Sequence, residues 1–204
     1  MLEQNTNNEE KKFDKNKFLK DFLGMVLYVA AVLLFCFIII TYVGQRTQVS
    51  GSSMESTLSN GDNLIIDKIS YKFHDPERFD IIVFPFYEYG DKNAESNTGA
   101  EDTFYIKRII GLPGETVWIN EMGDIYINGV CLKENYGLEN INYAGVASNP
   151  IILGPDEYFV MGDNRNNSTD SRFAVVGNIK REDIVGKAWM RIYPFDKFGI
   201  IKHQ

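Results

Sequence analysis

The chain has 204 residues, enough for one compact domain plus appendages, and its 28 acidic against 21 basic side chains leave a formal net charge of −7. That acidity argues against nucleic acid as a partner and against broad electrostatic adhesion to anionic lipid. Two cysteines and two isolated histidines, without zinc-like spacing, give little support to redox or metal chemistry, so neither a metal nor a cofactor is expected.

Residues 1–21 are polar and rich in Asn and Lys, as expected of a loosely ordered tail. From Phe22 to Val43 there are 22 residues without a charge. As a helix rising about 1.5 Å per residue this run covers roughly 33 Å, enough for a hydrocarbon core of about 30 Å. A cleavable leader would have an apolar core of about 7–15 residues ending in small side chains. Here the run is longer and closes on Thr41-Tyr42-Val43, so it reads as a retained transmembrane helix over 22–43. Lys11, Lys12, Lys15, Lys17 and Lys20 precede it and only Arg46 follows closely. That bias predicts a single-pass protein of the cell membrane, with a cytoplasmic N-terminus and residues 45–204 outside the cytoplasm. Cys36 in the span and Cys131 in the external domain cannot pair in this topology.

The remainder reads as mainly β. Strands are expected at Asn63–Asp67, Asp80–Phe84, Phe104–Gly111, Glu115–Ile119 and Val185–Ile192, with Leu112-Pro113-Gly114 as a turn. Asn128-Gly129, between apolar runs in Asp124–Val130, signals a two-residue hairpin. Many short strands punctuated by Gly and Pro predict an antiparallel β-sheet or barrel. Residues 87–102 are acidic and read as an exposed loop, and residues 134–150 as an excursion away from the core.

Three stretches carry possible chemistry. In Val49-Ser50-Gly51-Ser52-Ser53-Met54, glycine permits close backbone approach, serine supplies a hydroxyl and methionine an apolar wall. By itself the stretch is a weak signal, and it is no nucleophile elbow, because Glu55 stands where a second glycine would be. A serine hydroxyl also needs a base. His203 is penultimate and His74 sits in a charged stretch, so a buried lysine is the better candidate. Desolvation lowers a lysine from near 10.4 by up to about 3–5 units. Lys107 fits, sharing a strand face with Tyr105 and Ile109. Lys68 is its nearest rival, in more polar surroundings beside Asp62 and Asp67. The third stretch, Gly162 to Arg172, is either a solvated polar loop or a braced one in which Asp170 pairs with an arginine and Ser168 orients the lysine amine.

Together these segments resemble bacterial type I signal peptidases of peptidase family S26, in their single-span form. The resemblance rests on the anchor and four blocks in order: Gly51 to Leu58, Arg78 to Phe84, Tyr105 to Glu115, and Gly162 to Arg172. It implies a membrane-anchored serine endopeptidase that removes signal peptides from secretory preproteins after small residues, at Ala-x-Ala sites. In that reading Ser53 is the nucleophile, Lys107 the general base, and Ser168 the lysine's hydrogen-bond partner, with Asp170 and Arg172 a bracing ion pair. Val49, Met54, Leu58, Tyr105 and Ile106 match positions lining the substrate pockets. Two departures stand out: Ser56 replaces a usual proline, and Gly51 replaces a side-chain oxyanion donor found in some members. The Ser53 backbone N–H is then the expected donor, such groups being worth about 2.7–4 kcal/mol. Two other readings are a self-cleaving repressor-type peptidase, disfavoured by the anchor, and a membrane-tethered scaffold in which Lys107 is an ordinary surface lysine.

Overall fold

A computed structural model describes residues 15–38, 44–86, 103–137 and 139–202. The expected exposed loop at 87–102 and the last five residues of the expected span, 39–43, lie outside this set.

Helix α1 (Lys15–Ile38) begins seven residues before the expected span. Lysine is a good helix former, so Lys20 sits within the helix without ending it. From Phe18 to Phe37 the helix is long and apolar enough to cross a membrane, judged by length and composition. Phe22, Leu27, Leu33 and Phe37 are all exposed, and a helix apolar on every side suits a lipid environment.

The β unit contains, among the described residues, β1 (Gly44–Gln48), β2 (Asn63–Asp67), β3 (Ile81–Phe86), β4 (Thr103–Gly111), β5 (Thr116–Ile119), β6 (Ile125–Ile127), β7 (Val130–Cys131), β8 (Ile151–Ile152), β9 (Glu157–Met161), β10 (Ile179–Lys180), β11 (Gly186–Tyr193) and β12 (Gly199–Ile200). The larger sheet runs β1-β2-β11-β3-β4-β9-β10 with β12 on β11, and the smaller runs β7-β6-β5-β8. Every pairing is antiparallel, as the mainly β reading expects. The β6–β7 turn uses Asn128 at φ 51° and Gly129 at φ 80°, the left-handed pair that a primed hairpin turn requires.

Two strands beside the site escape the sequence pattern. β1 reads Gly-Gln-Arg-Thr-Gln and carries no apolar alternation. β9 is its opposite, with Tyr158, Phe159, Val160 and Met161 all buried, so its polar–apolar period is erased. Pairing of β4 then decides where chemistry can occur. Its residues 103–108 pair with β3, but β9 joins only from Arg108 onwards. On that side the first half of β4 has no strand partner among the described residues. Beyond β9 the chain leaves the sheet at Gly162, and it returns where Ser171 N–H donates to Val160 O at 3.1 Å.

Candidate active site

The β1–β2 connection is a tight loop closed at its base by Val49 N–H to Asp62 O (2.8 Å) and Gly61 N–H to Val49 O (2.9 Å). Asn60 Oδ1 accepts from Gly51 N–H at 2.9 Å. Gly51 holds φ +94°, where any side chain is strained, so glycine here answers a backbone demand. Met54 (1% exposed) and Leu58 (0%) anchor the loop in a core shared with Leu64, Ile66 and Ile81. Leu58 N–H reaches Met54 O at 2.8 Å, closing the turn that immediately follows Ser53.

Lys107 extends from β4 beside Tyr105, with Nζ 4.9 Å from the ring centroid. The amine donates to Ser53 Oγ at 2.8 Å and to Ile106 O at 3.0 Å. The residue is only 4% exposed, while Lys68, its rival, is half-buried. Burial lowers the amine from its ordinary 10.5 to about 8, against the opposing pull of the Asp170 and Asp163 carboxylates. An amine with that poise is neutral in a useful fraction near pH 7 and can accept a proton from the hydroxyl it touches.

The loop Gly162–Arg172 closes the third side. Asn164 N–H donates to Ser53 O (3.0 Å), Asn164 Nδ2 to Ser52 O (3.2 Å) and Asn167 Nδ2 to Ser52 Oγ (2.7 Å). The loop is held by fully buried ion pairs. Asp170 and Arg172 meet through two 2.8 Å contacts, and Asp170 Oδ2 also accepts from Gly162 N–H at 3.0 Å. Asp163 is bidentate to Arg108 at 2.8 and 2.7 Å and accepts from Thr57 Oγ1 at 2.5 Å. Loop and nucleophile turn are thereby tied to the same strand as the lysine. Removing one member of such a pair typically costs about 3–5 kcal/mol, because the other charge stays buried alone.

The structure therefore brings Ser53, Lys107, Asp170 and Arg172 into one cluster. Ser168 joins it in place but not in bonding. Its Oγ is buried and makes no hydrogen bond among the described residues, so the expected contact to the amine is not formed. A Cβ placed on Gly162 would lie 2.3 Å from Ser168 Oγ and 2.4 Å from Ser53 O, which locates this hydroxyl against the nucleophile turn and explains the glycine. The Ser53 N–H bonds to none of the described residues.

An open groove of about 370 Å³ runs past the dyad. Val49, Tyr105 and Ile106, three of the five residues matched to substrate pockets by resemblance, line it. Met54 and Leu58 do not. They are the apolar anchors beneath the loop, buried because the turn needs a core beneath it. Sequence reasoning gave no role to Thr57, Arg108, Asp163, Asn164 or Asn167. An arginine on the opposite face of an apolar strand did signal a buried counter-charge, since arginine is rarely fully buried unpaired. The asparagine contacts join residues more than a hundred apart and left no local mark.

A family-wide profile described as signal peptidase, peptidase S26, matches residues 22–193. A probable signal peptidase I-2 of Synechocystis sp. is 40% identical over 179 residues, covering 88% of this chain and 76% of its own length. A signal peptidase I P of Bacillus subtilis subsp. natto is 33% identical over 194 residues, covering 91% and 97%. A solved signal peptidase I structure from Enterococcus faecalis V583 is 33% identical, covers 56% of this chain and 97% of its own, and gives a TM-score of 0.40. The profile spans well over half of the sequence and includes both Ser53 and Lys107. By the profile and the two sequence relatives the chain belongs to the signal peptidase family, peptidase S26.

Proposed function

We propose that this chain is a membrane-anchored signal peptidase I that cleaves secretory preproteins after small residues through a Ser53–Lys107 dyad. One observation carries the reading: a 2.8 Å hydrogen bond joins the Ser53 hydroxyl to a buried amine whose proton affinity is lowered to about 8. Family membership supports the activity, and α1 supports an anchor.

In the mechanism, the preprotein's cleavage region lies extended in the groove as an added strand along the half of β4 that β9 does not reach. Neutral Lys107 takes the Ser53 proton as Oγ attacks the scissile carbonyl carbon. The tetrahedral oxyanion is met by the Ser53 N–H. As the intermediate collapses, the C–N bond breaks and protonated Lys107 returns its proton to the leaving amine. Water, deprotonated by the same amine, then hydrolyses the acyl-enzyme and frees Ser53. Ser168, whose buried hydroxyl has no partner among the described residues, is assigned as the group that binds the amine during turnover.

Preference for small residues is the part of this reading that rests on the family resemblance, and Val49, Tyr105 and Ile106 are the apolar side chains in the groove assigned to meet them. The N-terminus is assigned to the cytoplasm and the β unit to the outer side, on lysine bias. No metal or cofactor enters any step. The test is cleavage of an Ala-x-Ala preprotein peptide by the full chain in detergent. Wild type cuts after the second alanine and Ser53→Ala does not, whereas equal cleavage by the two sinks the assignment.

A further inference from the structure

The segment following β7 contributes no group to the groove, yet it reaches back to the catalytic loop along its length. The Glu134 carboxylate pairs with the Arg165 guanidinium, the longer contact being 2.6 Å, and Arg165 Nε donates to Gly162 O at 3.0 Å. The Tyr136 ring lies over the Arg108 guanidinium, 3.6 Å from Cζ to centroid. Further along, Tyr143 O accepts from Arg172 Nη1 at 3.1 Å and Val146 N–H donates to Arg172 O at 2.9 Å. Each of these partners is an arginine that orients the loop over Ser53 and Lys107.

We propose that this excursion is a brace for the catalytic loop, with Glu134 and Tyr136 as positioning residues that act through Arg165 and Arg108. Glu134 fixes the guanidinium that holds the Gly162 carbonyl, and Gly162 is the point at which the loop presses on Ser53 O. Tyr136 covers Arg108 on its open face, keeping water from the Arg108–Asp163 pair that also grips Thr57. The ring does this work, since the Tyr136 hydroxyl is buried without a hydrogen-bond partner among the described residues. A stacked guanidinium is attracted to the ring face and loses little by the contact.

A brace of this kind has a signature that a merely structural residue lacks. Around the Lys107 amine stand the Asp163 and Asp170 carboxylates, each paired to a buried arginine, and the Tyr105 ring. Burial outweighs the two carboxylates in setting the amine's poise. Slackening the loop admits water, relieves that burial and moves the activity midpoint upward from about 8. Loss of folded protein lowers the rate without moving the midpoint.

The inference rests on the Ser53–Lys107 reading, whose own failure would show as cleavage surviving Ser53→Ala. The experiment measures kcat, KM and the pH midpoint on the same peptide for the full chain in detergent, with rates normalised to the folded fraction. Tyr136→Phe stays within about twofold of wild type, while Tyr136→Leu and Glu134→Gln lose about ten- to hundredfold in kcat with KM little changed, because misplacement rather than binding is at fault. The pH midpoint rises in both damaged variants. Wild-type kcat in Tyr136→Leu and Glu134→Gln, a rate loss with an unmoved midpoint, or an equal loss in Tyr136→Phe overturns the proposal.

Discussion

Replacing Lys107 by methionine separates the two consequences of burying an amine. In the folded chain its pKa falls from 10.5 to about 8, chiefly through desolvation. That interval corresponds to about 3 kcal/mol. The folded state thus releases a proton that the unfolded chain still holds, so burial costs stability below pH 8 and the cost fades as pH rises towards 10.5. Lys107→Met keeps the apolar stem and removes the charge. It is therefore expected to stabilise the fold by up to about 3 kcal/mol at pH 7 and by nothing near pH 10.5, while abolishing cleavage. In the wild type, log rate climbs with unit slope to about pH 8 and then levels. At pH 7 the lowered pKa leaves about 300 times more neutral amine than an ordinary lysine would have. Urea unfolding at the two pH values and initial rates from pH 6 to 10 check both halves. A rise centred near 10.5, or a Lys107→Met variant no more stable than wild type at pH 7, refutes the reasoning.

Other substitutions probe the cluster one contact at a time. Ser168→Ala removes a hydroxyl with no hydrogen bond among the described residues, so stability changes by less than about 1 kcal/mol. Its kcat nonetheless falls by about ten- to hundredfold, because the amine loses its partner during turnover. Gly162→Ala drives a methyl to within 2.4 Å of the Ser53 carbonyl, and a peptide assay is expected to show kcat collapsing while groove binding persists. Asp170→Asn strands Arg172, costing about 3–5 kcal/mol in a thermal or denaturant melt.

The sequence announced the parts whose cause is local. The charge-free run, the strand of Lys107 and the Asn128-Gly129 turn each follow from periodicity or a single conformational requirement. Lys107 stood out because its face neighbours, Tyr105 and Ile109, are apolar, which is the condition that lowers its proton affinity. What stayed hidden depends on distant segments meeting. β9 lost its alternation because both faces are covered, and β1 never had one. Met54 and Leu58 match substrate-pocket positions by resemblance, yet the turn uses them as anchors, a distinction that only burial reveals. The excursion, read as lying away from the core, contacts the catalytic loop and β4 through arginines roughly thirty residues away in sequence.

Identifying the acylated residue tests the central claim most directly. The full chain is mixed with an ester of an Ala-x-Ala peptide, whose acylation outruns hydrolysis, then quenched in acid and digested with trypsin. The account predicts one peptidyl group on the fragment 47–68, at Ser53, present in wild type and missing from Ser53→Ala. A peptidyl group on any other residue, or ester turnover at the wild-type rate by Ser53→Ala, contradicts it.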